Sequence, residues 1–327
     1  MHAEESQVAA GQTQNESASE LTEPNVNEET AGDVAETAET QQSEKVVTVG
    51  EASYNSLAEA VAAAQSGSTI VLHQDVEIAG SITVNKNLTI QSADEAVFMV
   101  RRAAGYTGAL FQLSGSADLK FGASDGSKAV ILDGGASWKK KVTENNEEVE
   151  KDASGPNEEG AYNAGMTAAT ALVKVLDQST LTIYENTVLQ NNKITGAGGA
   201  AIWVDTAGAR IHIYGTLRNN EAAHGGGAIS SKATLTVYQS AVFSGNKAGE
   251  NGGAIENHNG GVMQITGARL KAILLETVEE QLWIDGKTEV TSVTVTGNKA
   301  EKGGGIFFQG GQEKRYLVLQ KRNHCYR

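Results

Sequence analysis

The sequence predicts an all-β chain wound into a right-handed parallel β-helix, a solenoid with one short capping helix at its N-terminal end. Three observations carry this. Glycine is abundant and proline scarce, at 37 against 2 in 327 residues. Short strands rich in β-branched residues follow one another with no room for crossover helices, which argues against a doubly wound α/β fold. A three-part motif recurs, its isoleucines spaced 27 and then 26 residues apart at Ile202, Ile229 and Ile255, and such a period marks a solenoid. With no strict G-X-Y period, collagen is excluded. The single cysteine, Cys325, permits neither an internal disulfide nor a cysteine-based zinc site.

The net charge of −14 has to be located before it is interpreted. Residues 1–44 hold 11 of the 40 acidic residues and no Lys or Arg; the remainder carries 26 basic against 29 acidic residues. Residues 1–45 also lack aromatic side chains, so they cannot offset chain entropy by burial and read as a disordered acidic leader. The rest is almost balanced, without a basic stripe, and nucleic acid is not an expected partner. No apolar run reaches the length of a membrane span. Met1–Glu5 has neither the basic nor the apolar region of a signal peptide.

Residues 46–311 form the expected solenoid. Val46–Gly50 reads as a first strand, followed by a helix. Ser56 and Glu59 make a capping box. Leu57, Ala60, Val61 and Ala64 lie on one face, and Gly67 is the expected C-terminal stop. A helix this short needs something to cover, and the open end of a sheet stack supplies it. Strands are expected at 69–72, 81–84, 88–90, 97–100 and 109–113. Residues 134–168, with Lys139–Lys141 followed by Glu144, Glu147, Glu148, Glu150, Lys151 and Asp152, read as a mobile charged insertion loop.

From residue 181 the repeat is explicit. Leu181–Tyr184, Ile211–Tyr214 and Leu235–Tyr238 open successive units. Each is followed by an apolar residue and, three positions on, an asparagine: Leu189/Asn192, Leu217/Asn220, Phe243/Asn246 and later Val295/Asn298. Glycine pairs then precede Ile202, Ile229, Ile255 and Ile306. Stacked at the strand spacing, the isoleucines form an internal column and Asn192, Asn220, Asn246 and Asn298 an amide ladder at a turn, where asparagine tolerates positive φ. Tyr184, Tyr214 and Tyr238 form a third column, expected inside. The final isoleucine interval of 51 residues suggests a coil that has lost the motif. There, Leu270, Ile273, Leu274, Val278 and Leu282 leave a degenerate coil and an inserted helix both open. Residues 312–327 read as a basic tail at which the chain is cut short.

The pairing of Gly-Gly-Ala-Ile with Phe-x-x-Asn, complete in Phe243–Asn246 and Gly252–Ile255, resembles the repeats of chlamydial polymorphic membrane proteins and similar bacterial β-helix surface adhesins. The stretch 46–92 is similar to the capped start of bacterial pectin-lyase-like surface proteins. The resemblance implies a secreted or surface-exposed protein whose role is adhesion to a host or neighbouring cell, through a host-cell receptor or a surface glycan. The C-terminal membrane barrel of the adhesin family and a Gram-positive sorting motif are both missing from this sequence.

A carbohydrate-active enzyme, a polysaccharide lyase or glycoside hydrolase, is the alternative. It needs convergent carboxylates, or aspartate-bound calcium beside a basic group. Asp177 and Asp205, 28 residues apart, are the catalytic candidates, with Lys232, Asn257 and His258 in the following coil. The simpler reading of all five is turn chemistry. The same holds for Asp133 before Gly134-Gly135. The Trp203 ring is a candidate sugar platform. The six histidines show no metal-ligand spacing, and there is no calcium nonapeptide, P-loop, dinucleotide fingerprint or nucleophile elbow. No cofactor or metal is expected.

Overall fold

A computed structural model describes residues 45–94, 96–258, 261–268, 287–292, 294–301, 306–308 and 316–319. The leader 1–44, the stretch 269–286 with its open choice between coil and helix, and most of 309–327 lie outside the described residues.

The described chain is a parallel β-solenoid with one short helix. Its first sheet has eleven strands, running from Ala52–Tyr54 to Tyr316–Leu319, and two further sheets have seven each. A regular coil visits each of these three sheets once, so its strands pair in parallel with their counterparts in the neighbouring coils. The cause is alternation. Ile82–Val84, for example, buries its two ends and exposes its centre, and only a neighbouring coil can cover the buried set. In the first sheet, Leu88, Leu119, Leu181, Ile211, Leu235 and Met263 stack in register. In the second, Leu132, Leu189, Leu217, Phe243 and Val295 do so. In the third, Phe111, Val173, Ile202, Ile229, Ile255 and Ile306 do so. The members of these columns from Leu88 to Met263, Leu132 to Phe243 and Phe111 to Ile255 are buried and make the core.

The N-terminal end is closed as expected, with one change. Leu57–Ala63 forms α1, and Ser56 Oγ accepts from the Glu59 amide at 3.2 Å. Leu57, Ala60, Val61 and Ala64 are buried. The helix ends before Gly67, however. Lys86 Nζ reaches the carbonyls of Val61, Ala62 and Ala64 at 2.8–3.2 Å, so a cation from the next coil terminates it where glycine was expected. Beside the helix, Val47–Val49 pairs antiparallel with both Ser68–Leu72 and Ala52–Tyr54, turning the parallel stack back at its edge.

Three expectations need correction. The charged insertion is an antiparallel sheet and not an irregular loop: Trp138–Glu144 pairs with Glu147–Asp152 and with Tyr162–Asn163. Its charges pair with one another as Lys139–Asp152, Lys141–Glu148, Lys151–Glu144 and Lys140–Glu158. Next, the 51-residue interval does not, among the described residues, add a motif-less coil to the second and third sheets. Phe243 pairs directly with Val295, and Ile255 with Ile306. The first sheet alone takes an extra strand, Lys287–Ser292, between Val262–Ala268 and Tyr316–Leu319. That last strand also carries the sheet beyond the boundary expected at 311. Finally, the tyrosines face outward. Ile183 and Ile213 point into the core, so Tyr184 and Tyr214, one residue later, are on the opposite face, half-buried. Tyr214 and Tyr238 stack at 3.8 Å between centroids.

The asparagine ladder forms, with a refinement. Positive φ belongs to the residue before each ladder position: Asn191, Asn219, Gly245 and Gly297, at 53°, 54°, 64° and 59°. The ladder amides occupy the space inside the turns so made. The backbone N–H groups of Asn192, Asn220 and Asn246 donate to the Oδ1 of Asn220, Asn246 and Asn298 at 2.9–3.2 Å. The Nδ2 groups of Asn220, Asn246 and Asn298 donate back to the Leu189, Leu217 and Phe243 carbonyls. At the ladder's start, Asn192 Oδ1 accepts from the Arg102 guanidinium at 2.7 Å. That guanidinium is buried and also donates to the carbonyls of Gly108, Gly134, Thr170 and Ala171. Burial lowers its pKa to about 10.

Candidate functional site

The outward row of the third sheet is set by register as Gln112, Lys174, Trp203, Ser230 and Glu256. Each is the middle residue of a three-residue strand whose two ends are buried on the inner side, so each points away from the core. Around Trp203, Ser230 and Glu256 lies a cleft of about 460 Å³. One wall is the glycine turn that precedes the strands, with Gly198, His224, Gly225, Glu250 and Asn251; the other is the segment that follows them, with Asp205, Lys232 and His258.

Its polar groups are ordered. Glu256 is only 5% exposed. Its Oε1 accepts from Asn251 Nδ2 at 3.2 Å, and its Oε2 is 3.2 Å from His258 Nε2. That same Nε2 lies 2.8 Å from Ser230 Oγ. His224 Nδ1 lies 2.7 Å from Glu250 Oε1. Lys232 is paired with Asp205. Lys174 Nζ sits over the Trp203 ring, 5.1 Å from its centroid. Gly225 leaves room for the Glu256 carboxylate, which a Cβ there would push aside.

The structure does not join the two aspartates into one site. Asp177 follows the paired Val175 by two residues and Asp205 follows the paired Val204 by one. Asp177 has φ 55° and its Oδ2 accepts from the Gly115 amide at 2.8 Å, a turn role. Asp205 does reach the cleft, on its rim with Lys232. Asp133 also serves a turn, accepting from Gly135 N, Gln190 and Asn191. Ser230, His258 and Glu256 do not make a nucleophile–base–acid relay, because hydroxyl and carboxylate meet the same imidazole nitrogen; the relay needs one on each. Among the described residues, no group of three or more His, Cys, Asp or Glu is placed to hold a metal ion. No helix among them is long and apolar enough to cross a membrane.

Sequence reasoning missed Glu256 as the floor of the cleft. The signal was available: it follows Ile255 in the motif, as Trp203 follows Ile202, so the strand period puts it outward.

Residues 240–258 match the repeat model of the Chlamydia polymorphic membrane protein. No curated protein and no solved structure matches the chain. The matched stretch spans the second- and third-sheet strands of one coil, Val242–Ser244 and Ile255–Asn257. It contains the core residues Phe243 and Ile255, the ladder residue Asn246, and Glu250, Asn251, Glu256 and His258 of the cleft. The chain is thus similar to polymorphic membrane proteins over this one short stretch, carried on a parallel β-solenoid.

Proposed function

We infer that the protein is a bacterial cell-surface or secreted adhesin that acts by binding and catalyses no reaction. The observation that carries this is the match of residues 240–258 to a polymorphic membrane protein repeat, on a coil whose inner positions build the rod and whose outer positions line the cleft. The rod suits the role. Its ladders leave few interior groups free to move, and the outward faces are free to vary without disturbing the stack. The partner is a host-cell receptor or a surface glycan. The carbohydrate-active alternative has less support, since Asp177 caps a turn and Asp205 is neutralised by Lys232.

The test is adhesion. Beads coated with the full chain are expected to bind cultured epithelial cells above albumin-coated beads, with no release of new reducing ends from bacterial or host polysaccharides. Background adhesion would sink the adhesin reading, and released ends would restore the enzyme.

A further inference from the structure

We propose that the cleft of the third sheet is a lectin-type subsite for one uncharged pyranose unit, with Trp203 as its platform and Glu256 as its hydroxyl anchor. This deepens the adhesin reading and rests on it. The outward row first supplies the space. Trp203 and Glu256 are separated by the small Ser230, hence by two strand spacings, about 9–10 Å. Lys174 takes one face of the indole, from the coil before. The other face lies on the side of Ser230 and the cleft. The C–H face of a pyranose matches an aromatic ring of that kind, and the His258 imidazole, 2.8 Å from Ser230 Oγ and 3.2 Å from Glu256 Oε2, bounds the space on the Glu256 side.

The far side of the gap supplies hydroxyl recognition. A carboxylate accepts at about four positions. Glu256 uses one on Asn251 and one on His258, which leaves acceptor capacity at the floor of the cleft. Both bonds hold the carboxylate in place before any ligand arrives. Binding therefore costs little rotamer entropy. The cleft's volume of about 460 Å³ lies at the small end of ligand sites and suits a single unit of a larger glycan.

Charge selects among sugars. The lining carries three carboxylates, Asp205, Glu250 and Glu256, against one ammonium group, Lys232, and two imidazoles, His224 and His258. Carboxylates outnumber ammonium groups in the lining, so uronates and sialates are disfavoured relative to neutral hexoses.

The experiment is saturation-transfer NMR on the full chain. The probes are the methyl β-glycosides of glucose, galactose and N-acetylglucosamine, with methyl glucuronide for comparison. At least one neutral glycoside is expected to bind in the millimolar range, more tightly than the glucuronide. Trp203→Ala is expected to weaken it at least about tenfold, and Trp203→Phe less so. Glu256→Gln, nearly isosteric, reports on the same site by a second route, with an expected loss of at least about fivefold. Trp138→Phe, in the hairpin, is expected to change nothing. Melting temperatures accompany each variant. Silence from all three neutral glycosides, preference for the glucuronide, or binding indifferent to both Trp203→Ala and Glu256→Gln would each overturn the proposal. The adhesin reading fails separately, on the coated beads.

Discussion

Replacing Asn220 by alanine isolates the contribution of a single ladder step. The side chain is 0% exposed. Its Oδ1 accepts from Asn192 N at 3.2 Å, and its Nδ2 donates to the Leu189 carbonyl and to Asn246 Oδ1 at 3.1 Å each. Asn246 Oδ1 retains the backbone N–H of residue 220 after truncation. The N–H of Asn192 is left buried without an acceptor, at about 1–3 kcal/mol, and the two Nδ2 bonds are worth about 1 kcal/mol each. The expected loss is thus about 3–5 kcal/mol. Urea unfolding of the full chain, followed by circular dichroism, gives the total. Hydrogen exchange at Asn192 and Glu221 localises it, because a solenoid opens locally before it unfolds globally. Asn220→Asp sharpens the argument. The acceptor oxygen is preserved, but the second oxygen then faces two acceptors, so burial and repulsion hold its carboxyl pKa above the ordinary value. A raised folded pKa means the variant is most stable below about pH 4, where it is protonated and can donate, and loses stability as pH rises. A loss below about 0.5 kcal/mol for Asn220→Ala, or an Asn220→Asp variant insensitive to pH, would refute the idea that the ladder holds the coils together.

Arg102→Leu is expected to lower stability by at least about 3 kcal/mol, because it strips donors from Asn192 Oδ1 and from buried carbonyls at once. Arg102→Lys recovers only part, since one ammonium group cannot reproduce the planar fork. Thermal melts of both variants check this, and equal melts for Lys and Arg would contradict the role given to the fork. Burial, and secondarily the neighbouring phenols of Tyr238 and Tyr184, raise the pKa of Tyr214 above the ordinary value. The neutral stack therefore contributes stability that is fully present below about pH 10 and is lost as pH rises further. Tyr214→Phe is expected to flatten the alkaline limb of the stability curve, and an unchanged slope would show that the stack does not couple to folding.

Much of the solenoid was legible because its signals repeat. Ile202, Ile229 and Ile255 needed only their spacing, and Asn192, Asn220 and Asn246 only a polar type recurring three residues after an apolar one. What was not legible depended on single events. Helix termination by Lys86, rather than Gly67, requires knowing which side chain arrives from the next coil. The 51-residue interval fits a degenerate coil by arithmetic; only the direct pairing of Ile255 with Ile306 shows that two sheets pass straight through it. The tyrosine column, expected inside although tyrosine is uncommon there, is decided by parity: Tyr214 follows Ile213, and alternation alone puts it outside. In the site, Trp203 stands out as an aromatic in a strand, whereas Glu256 has no signal of its own beyond its place after Ile255. Asp177 and Asp205 were matched by their sequence interval, and the register differs from that interval by one residue.

The ladder also has a direction. Every step hands a backbone N–H from one coil to an Oδ1 in the next, so the column has a distinct head and tail. The tail at Asn192 would leave an oxygen with no donor below it, and Arg102 supplies one from outside the register. The guanidinium is thus a terminator for a directional polymer of amides. Duplicating coils above Asn192 lengthens the rod without disturbing that end. A coil inserted between Arg102 and Asn192 would separate the terminator from its chain and would have to bring an asparagine of its own. Growth by repetition is open on one side of the arginine and closed on the other.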